Sequence, residues 1–129
     1  MRILKAGNEG SVNPVLNIHV LDEPGVGGAH HEYEVYIDET KVPMPEGGLR
    51  GFVAKVHFQT GAIAEAGING CTNEALLAIV VDRLECFSKG PFPSRETSIA
   101  LTKCQEALHW LTHRTREREL RGVEGLHAK

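Results

Sequence analysis

The chain reads as an α+β protein, with an N-terminal antiparallel β-sheet followed by a C-terminal antiparallel helical hairpin. Three observations predict this. Apolar and polar residues alternate in three segments of the first half, and a seam of three- and four-residue steps runs through the last third. A Lys-Gly-Pro break, Lys89-Gly90-Pro91, divides that seam into two arms.

The first alternating segment, Val15 to Leu21, is rich in β-branched residues and reads as a strand. Asp22 to Gly28 supplies turn-forming Asp, Pro and Gly. His31 to Ile37 alternates again and places Tyr33, Val35 and Ile37 on one face. Lys41 to Gly51, with two prolines and several glycines, is a connector expected to be mobile. Phe52 to Gln59 is a third strand, with Phe52, Ala54, Val56 and Phe58 on one side. Strands at this spacing predict a meander.

The pattern changes at Thr72, an N-cap followed by Glu74 at the positive end of the helix dipole. Leu77, Val80, Val81, Leu84 and Phe87 then form an apolar stripe. Lys89, Gly90 and Pro91 close this helix with a cation, a glycine cap and a residue that cannot continue it. Ser94 caps a second helix, whose narrow seam is Leu101, Cys104, Leu108 and Leu111. Running to about Leu120, it is roughly 39 Å long at about 1.5 Å per residue. It therefore overhangs its shorter partner.

The 129 residues fit a single domain, with the sheet over about 1–71, the hairpin over about 72–121 and a tail at 122–129. Hydrophobic residues make up 41% and charged residues 24%, a globular balance. No apolar run reaches the roughly 20 residues of a membrane span, and the N-terminus lacks a signal-peptide core. A cytoplasmic location is the expectation. Cys71, Cys86 and Cys104 have no CxxC or zinc spacing, so Cys86 and Cys104 are expected to pack as small buried hydrophobes.

Charge is unevenly placed. Between Asp22 and Glu46 seven acids face one base, Lys41, whereas Arg114, Arg116, Arg118 and Arg121 cluster near the end. Arg114, Arg118 and Arg121 share one helical face. Such a row is either a solvated helix end screened by Glu117 and Glu119, or a site where guanidinium groups hold phosphate. A local basic end argues against duplex DNA, which needs a wide positive face.

Other motifs exclude chemistry rather than supply it. Gly25-Val26-Gly27-Gly28 lacks the GxGxxG spacing and the Walker lysine, and a strand rather than a helix follows. Glu106-x-x-His109 with His113 is half of a di-iron helix motif without its second half. His19, His30, His31 and His57 have no ligand spacing that requires a metal. There is no GxSxG elbow and no cysteine in an electropositive turn, so no catalytic residue, metal site or cofactor is expected. Phe87 and Phe92 flank the hairpin turn; one is free to staple the hairpin and the other to stack on a base.

The strings FQTGAIAEAGINGCTNEALLAIVVDRLECF, GPFPSRETSIALTKCQEALHWLTHRTRER and RGVEG, between Phe58 and Gly125, resemble the phage anti-Thoeris sponge family (Thoeris anti-defence type 1). That family shares its helical hairpin with the phage anti-CBASS cyclic-nucleotide sponges. The segment Val20 to Ala29, with His31 and Tyr33, also fits phage members. The resemblance implies a protein that binds immune signalling nucleotides without cleaving them. Its ligands would be glycocyclic ADP-ribose isomers or cyclic trinucleotides, held between protomers of a homo-oligomer, a dimer or hexamer, in the host bacterial cytoplasm. Carried over by position, Phe87 stands at the base-stacking place and Arg114 and Arg118 at the ribose-phosphate arginines. Thr97 stands where asparagine is expected, and His57, with Lys55, is nearest to an expected strand arginine. Two other readings stand beside this one: a phage regulatory or nucleic-acid-binding module using the arginine row, and a structural oligomer.

Overall fold

The computed structural model describes residues 1–42 and 51–122. It divides into two compact units, Met1–Thr60 and Gly61–Lys129. An N-terminal antiparallel sheet followed by C-terminal helices bears out the α+β class. The connector expected between Lys41 and Gly51 falls largely on residues 43–50, outside the described residues.

The first unit is a sheet of four strands, β1 (Arg2–Leu4), β2 (Leu16–Val20), β3 (Glu32–Ile37) and β4 (Phe52–His57), paired in that order. Every pairing is antiparallel between sequence neighbours, so the meander holds with one strand more than expected. Arg2–Leu4 is too short to show alternation; its pairing with β2, Ile3 opposite His19, makes it a strand.

Register sorts the side chains. Val20 lies opposite Tyr33, and Tyr33 opposite Val56; Ile18, Val35 and Ala54 form the next row on the same side. Val20, 1% exposed, is the best-buried large side chain described. His19, Glu34 and Lys55 form a row on the other side. The expected run of Phe52 with Ala54 and Val56 on one side is broken by a bulge. Val35 pairs with Ala54 but Tyr36 pairs with Phe52, so Val53 is the extra residue and Phe52 changes sides. There its ring meets Tyr36 edge-on at 5.6 Å, and His19 stacks on Tyr36 at 4.8 Å.

Asp22 closes the loop between β2 and β3. Its carboxylate accepts the backbone N–H groups of His31 (2.9 Å) and Glu32 (3.2 Å), and His30 Nδ1 donates to the Asp22 carbonyl at 2.6 Å. Within the loop, Gly27 and Gly28 take φ of 76° and 81°, and the N–H groups of Gly25 and Gly28 are used on Ala29 and Gly25. The glycine run is a self-closed turn. Desolvation pulls the Asp22 carboxyl upward, but the donors from His31 and Glu32 and the nearby His30 outweigh it, leaving its pKa below the ordinary 3.8.

The second unit holds a single turn, α1 (Ile63–Ala66), and two long helices, α2 (Asn73–Lys89) and α3 (Arg95–Leu120), that pack against each other. Both expected caps form: Thr72 Oγ1 accepts from Ala75 N–H and Ser94 Oγ from Thr97 N–H, each at 3.1 Å. Gly90 ends α2 in extended rather than left-handed backbone. Its reason is space, because a Cβ there would lie 3.1 Å from the Cys86 carbonyl. The short turn that follows sends α3 back along α2, and Gln105 reaches Glu85 at 3.5 Å.

The stripes are narrower than expected. On α2, Leu77, Val81, Leu84 and Ser88 are half-buried, while Val80 (43%) and Phe87 (47%) are exposed. On α3, Leu101, Cys104, Leu108 and Leu111 are half-buried, as the seam predicts. Cys86 falls between Leu84 and Ser88 and is exposed, against its expected burial; all three cysteines are free. Each helix spends one narrow stripe on the other, and an apolar side chain off that stripe stays uncovered.

Ser88 Oγ is buried without a hydrogen-bond partner. Ser88→Ala should therefore stabilise the fold by about 1 kcal/mol, through relief of that hydroxyl and better helix propensity. Ser94→Ala, which removes the α3 cap, should cost about 1 kcal/mol. Urea unfolding of each variant against the parent measures both. A depressed carboxyl contributes stability that is full above its unfolded pKa and is lost as pH falls through the folded value. Amide exchange at His31 and Glu32 should accordingly accelerate below about pH 4, in excess of its intrinsic pH dependence, and Asp22→Ala should produce the same loss of protection at neutral pH.

Candidate functional site

Phe87 lies in the last turn of α2, with the Arg83 guanidinium carbon 4.9 Å from its ring centroid. Arg83 is one helical turn back, so the i,i+4 pair presents a ring backed by a cation. Arg83 was not among the residues expected at the site; the signal for it was its four-residue spacing from Phe87. Phe92, in the turn itself, is 87% exposed and staples nothing. Of the two rings only Phe87 is partly covered.

Thr97 stands in the first turn of α3. Its hydroxyl accepts from Ser94 Oγ at 2.9 Å while its N–H donates to the same oxygen. The hydroxyl is thus oriented by the cap and keeps its own proton for an outside acceptor.

The arginines occupy the other end of α3. Arg114 and Arg121 are exposed, but Arg118 is 8% exposed and its side chain is engaged. Of the three arginines expected on one face, two are open and Arg118 is buried. Continuing the seam from Leu111 by four and then three residues passes through half-buried Thr115 and reaches Arg118. Arg118 lies on the buried stripe, and a buried guanidinium has to be compensated where it lies.

His57, the last residue of β4, is paired within the sheet unit: its Nδ1 is 2.9 Å from Glu32 Oε1, directly across the strands. Among the described residues, no three His, Cys, Asp or Glu side chains form a group able to hold a metal ion. No helix among them is long and apolar enough to cross a membrane.

The hairpin brings Phe87, Arg83 and Thr97 to one end and Arg114 and Arg118 to the other. About 26 Å of α3 separates Thr97 from Arg114 at about 1.5 Å per residue. The turn end carries a ring with a cation and an oriented hydroxyl, and the far end an exposed guanidinium.

Residues 53–116 match the model of the Acb2/Tad1 hairpin domain. Over those residues, just under half of the chain, the protein is similar to that hairpin domain. The match takes in His57, Phe87, Thr97 and Arg114 and stops short of Arg118. A protein of Bacillus phage SBSphiJ7, Thoeris anti-defense 1, is 52% identical over 79 residues, covering 61% of this chain. The matched stretch spans 56% of that relative's length. These findings bear out the resemblance to the anti-Thoeris family read from the sequence.

The unequal burial of the two arginines separates their roles in stability. Arg114→Ala should change the unfolding free energy by no more than about 0.5 kcal/mol, as for an open surface site. Arg118→Ala should cost about 2 kcal/mol or more, because groups paired with a buried charge lose their partner. Thermal and urea unfolding of the two variants side by side checks this.

Proposed function

We propose that this protein is a phage-encoded anti-defence sponge. It binds an immune signalling nucleotide, glycocyclic ADP-ribose or a cyclic trinucleotide, and holds it intact in the host cytoplasm, so that the host effector is never triggered. The observation that carries this reading is the 52% identity to a phage protein named for Thoeris anti-defence. That identity is joined by a hairpin whose ends carry a ring with a cation and an open arginine.

Sequestration demands affinity rather than turnover. A sponge has to hold its ligand at roughly nanomolar dissociation constant, about −12 kcal/mol. Cyclic ADP-ribose-like messengers present an adenine and a pyrophosphate. Stacking on the Phe87 ring would recognise the base, and Arg114 would pair with phosphate in its planar, bidentate fashion. Neither contact breaks a bond, and no proton relay is needed. Since a messenger is far shorter than the span between the two ends of α3, both sets serve one ligand only when they come from different chains. The reading thus includes a homo-oligomer, a dimer or hexamer, with ligand sites between copies.

Incubation of the pure protein with glycocyclic ADP-ribose, followed by heat denaturation, tests the central claim. Intact messenger should appear in the supernatant only after denaturation. Degraded messenger would make the protein an enzyme, and the absence of binding to either messenger class would end the reading. Steeply salt-dependent binding to random DNA would instead favour a nucleic-acid module. Arg114→Ala should weaken messenger binding by about ten- to a hundredfold, the loss expected of one charge-assisted contact, without unfolding the protein. Isothermal titration of the variant measures it.

A further inference from the structure

Helix α2 carries three kinds of surface. At about 100° per residue, Leu77, Val81, Leu84 and Ser88 share the seam toward α3, while Glu74, Asp82, Glu85 and Lys89 fall together on one flank. The other flank holds Leu76, Ile79, Val80, Cys86 and Phe87, and it is apolar except for one residue, Arg83.

Arg83 is exposed and stands near the middle of that apolar flank. The residues three and four positions from it are Ile79, Val80, Cys86 and Phe87, so no acid lies within its helical reach. Among the described residues no carboxylate forms an ion pair with its guanidinium, although Lys41, Lys103 and three histidines each have one nearby. The helix dipole does not account for it either, because Lys89 holds the last turn and Arg83 lies ahead of that turn.

The contact that Arg83 does make is with Phe87, whose ring centroid is 4.9 Å from the guanidinium carbon. A cation–π contact uses the charge and leaves the N–H groups able to donate. The ring itself is only half covered. Two chemistries thus meet at one point of α2. An open aromatic surface suits a nucleobase, and a fork of unpaired donors suits a phosphate. An apolar partner would cover the ring but strip water from the charge without replacing it. A nucleotide satisfies both groups, since its phosphate stands one sugar away from its base.

We infer that Arg83 is a second phosphate-holding residue of the site. The Phe87 ring receives the base of an adenine nucleotide, and the Arg83 guanidinium receives the phosphate nearer to it. This inference rests on the proposed function and adds that the turn end of a single copy reads base and phosphate together. Arg114 is then left for the second phosphate of the messenger.

Titration of the full-length protein with glycocyclic ADP-ribose and with a cyclic trinucleotide tests it, through three substitutions. Arg83→Met is long and unbranched and packs well on an aromatic ring, so it keeps the ring supported and removes the charge and the donors. It should weaken messenger binding by about tenfold or more. Arg83→Lys keeps the charge without the planar fork and should recover part of that loss. Arg83→Glu should bind more weakly than Arg83→Met. Circular dichroism confirms that each variant is folded. Arg83→Met binding as tightly as the parent, or Arg83→Lys binding no better than Arg83→Met, would overturn the inference and leave the proposed function standing. A parent that binds neither messenger would overturn both.

Discussion

The inward seam of the hairpin is the constraint from which the helical unit follows. Leu77, Val81 and Leu84 on one helix face a partner that offers Leu101, Cys104, Leu108 and Leu111. Each helix has one narrow stripe to give, and each gives it to the other. Thr72 and Ser94 set where the helices begin, and Gly90 lets the chain turn between them. Once those points are set, the phase of every other residue is determined. Phe87 must stand beside the turn, Arg118 must fall on the buried stripe, and Trp110 must point the opposite way. Moving the phase of α3 by one residue would rotate Trp110 and Arg118 by about 100°.

That economy leaves the chain with very little interior. Among the described residues only Val20 and Ala62 are buried hydrophobics, while Ile79, Val80, Phe87, Phe92 and Trp110 are exposed. Isolated apolar residues on a surface need no explanation. A hairpin that exposes large side chains on both helices, beside a seam only half-buried, is short of the burial that ordinarily offsets chain entropy. The homo-oligomer of the proposed function would supply it.

The long periodic elements were legible in the sequence because their signal repeats. Both helix starts, the turn and the α3 seam follow from spacing and capping chemistry that recur or sit at fixed offsets. What escaped depended on single residues or on tertiary context. Arg2–Leu4 is a strand only because β2 lies beside it. Phe52 changes sides through one extra residue, which no alternation pattern in an isolated strand reveals. Cys86 and Val80 were assigned to the interior because they are apolar and near the right phase, but the partner helix is too narrow to reach them. At the candidate site, Phe87, Thr97 and Arg114 lie within the elements expected of them. The burial of Arg118 needed only the seam extended past Leu111, since position on a stripe outweighs residue type when the stripe is this narrow. His57 is occupied by Glu32, a cross-strand partner that only the register discloses.

The length of α3 ties these features together. Thr97 stands near one end of the hairpin and Arg114 near the other, about 26 Å apart along α3 at about 1.5 Å per residue. A longer hairpin would only move them further apart. Under the proposed function, a small messenger that meets both the Phe87 ring and the Arg114 guanidinium takes them from two copies of the chain, because one copy holds them too far apart to share so short a ligand.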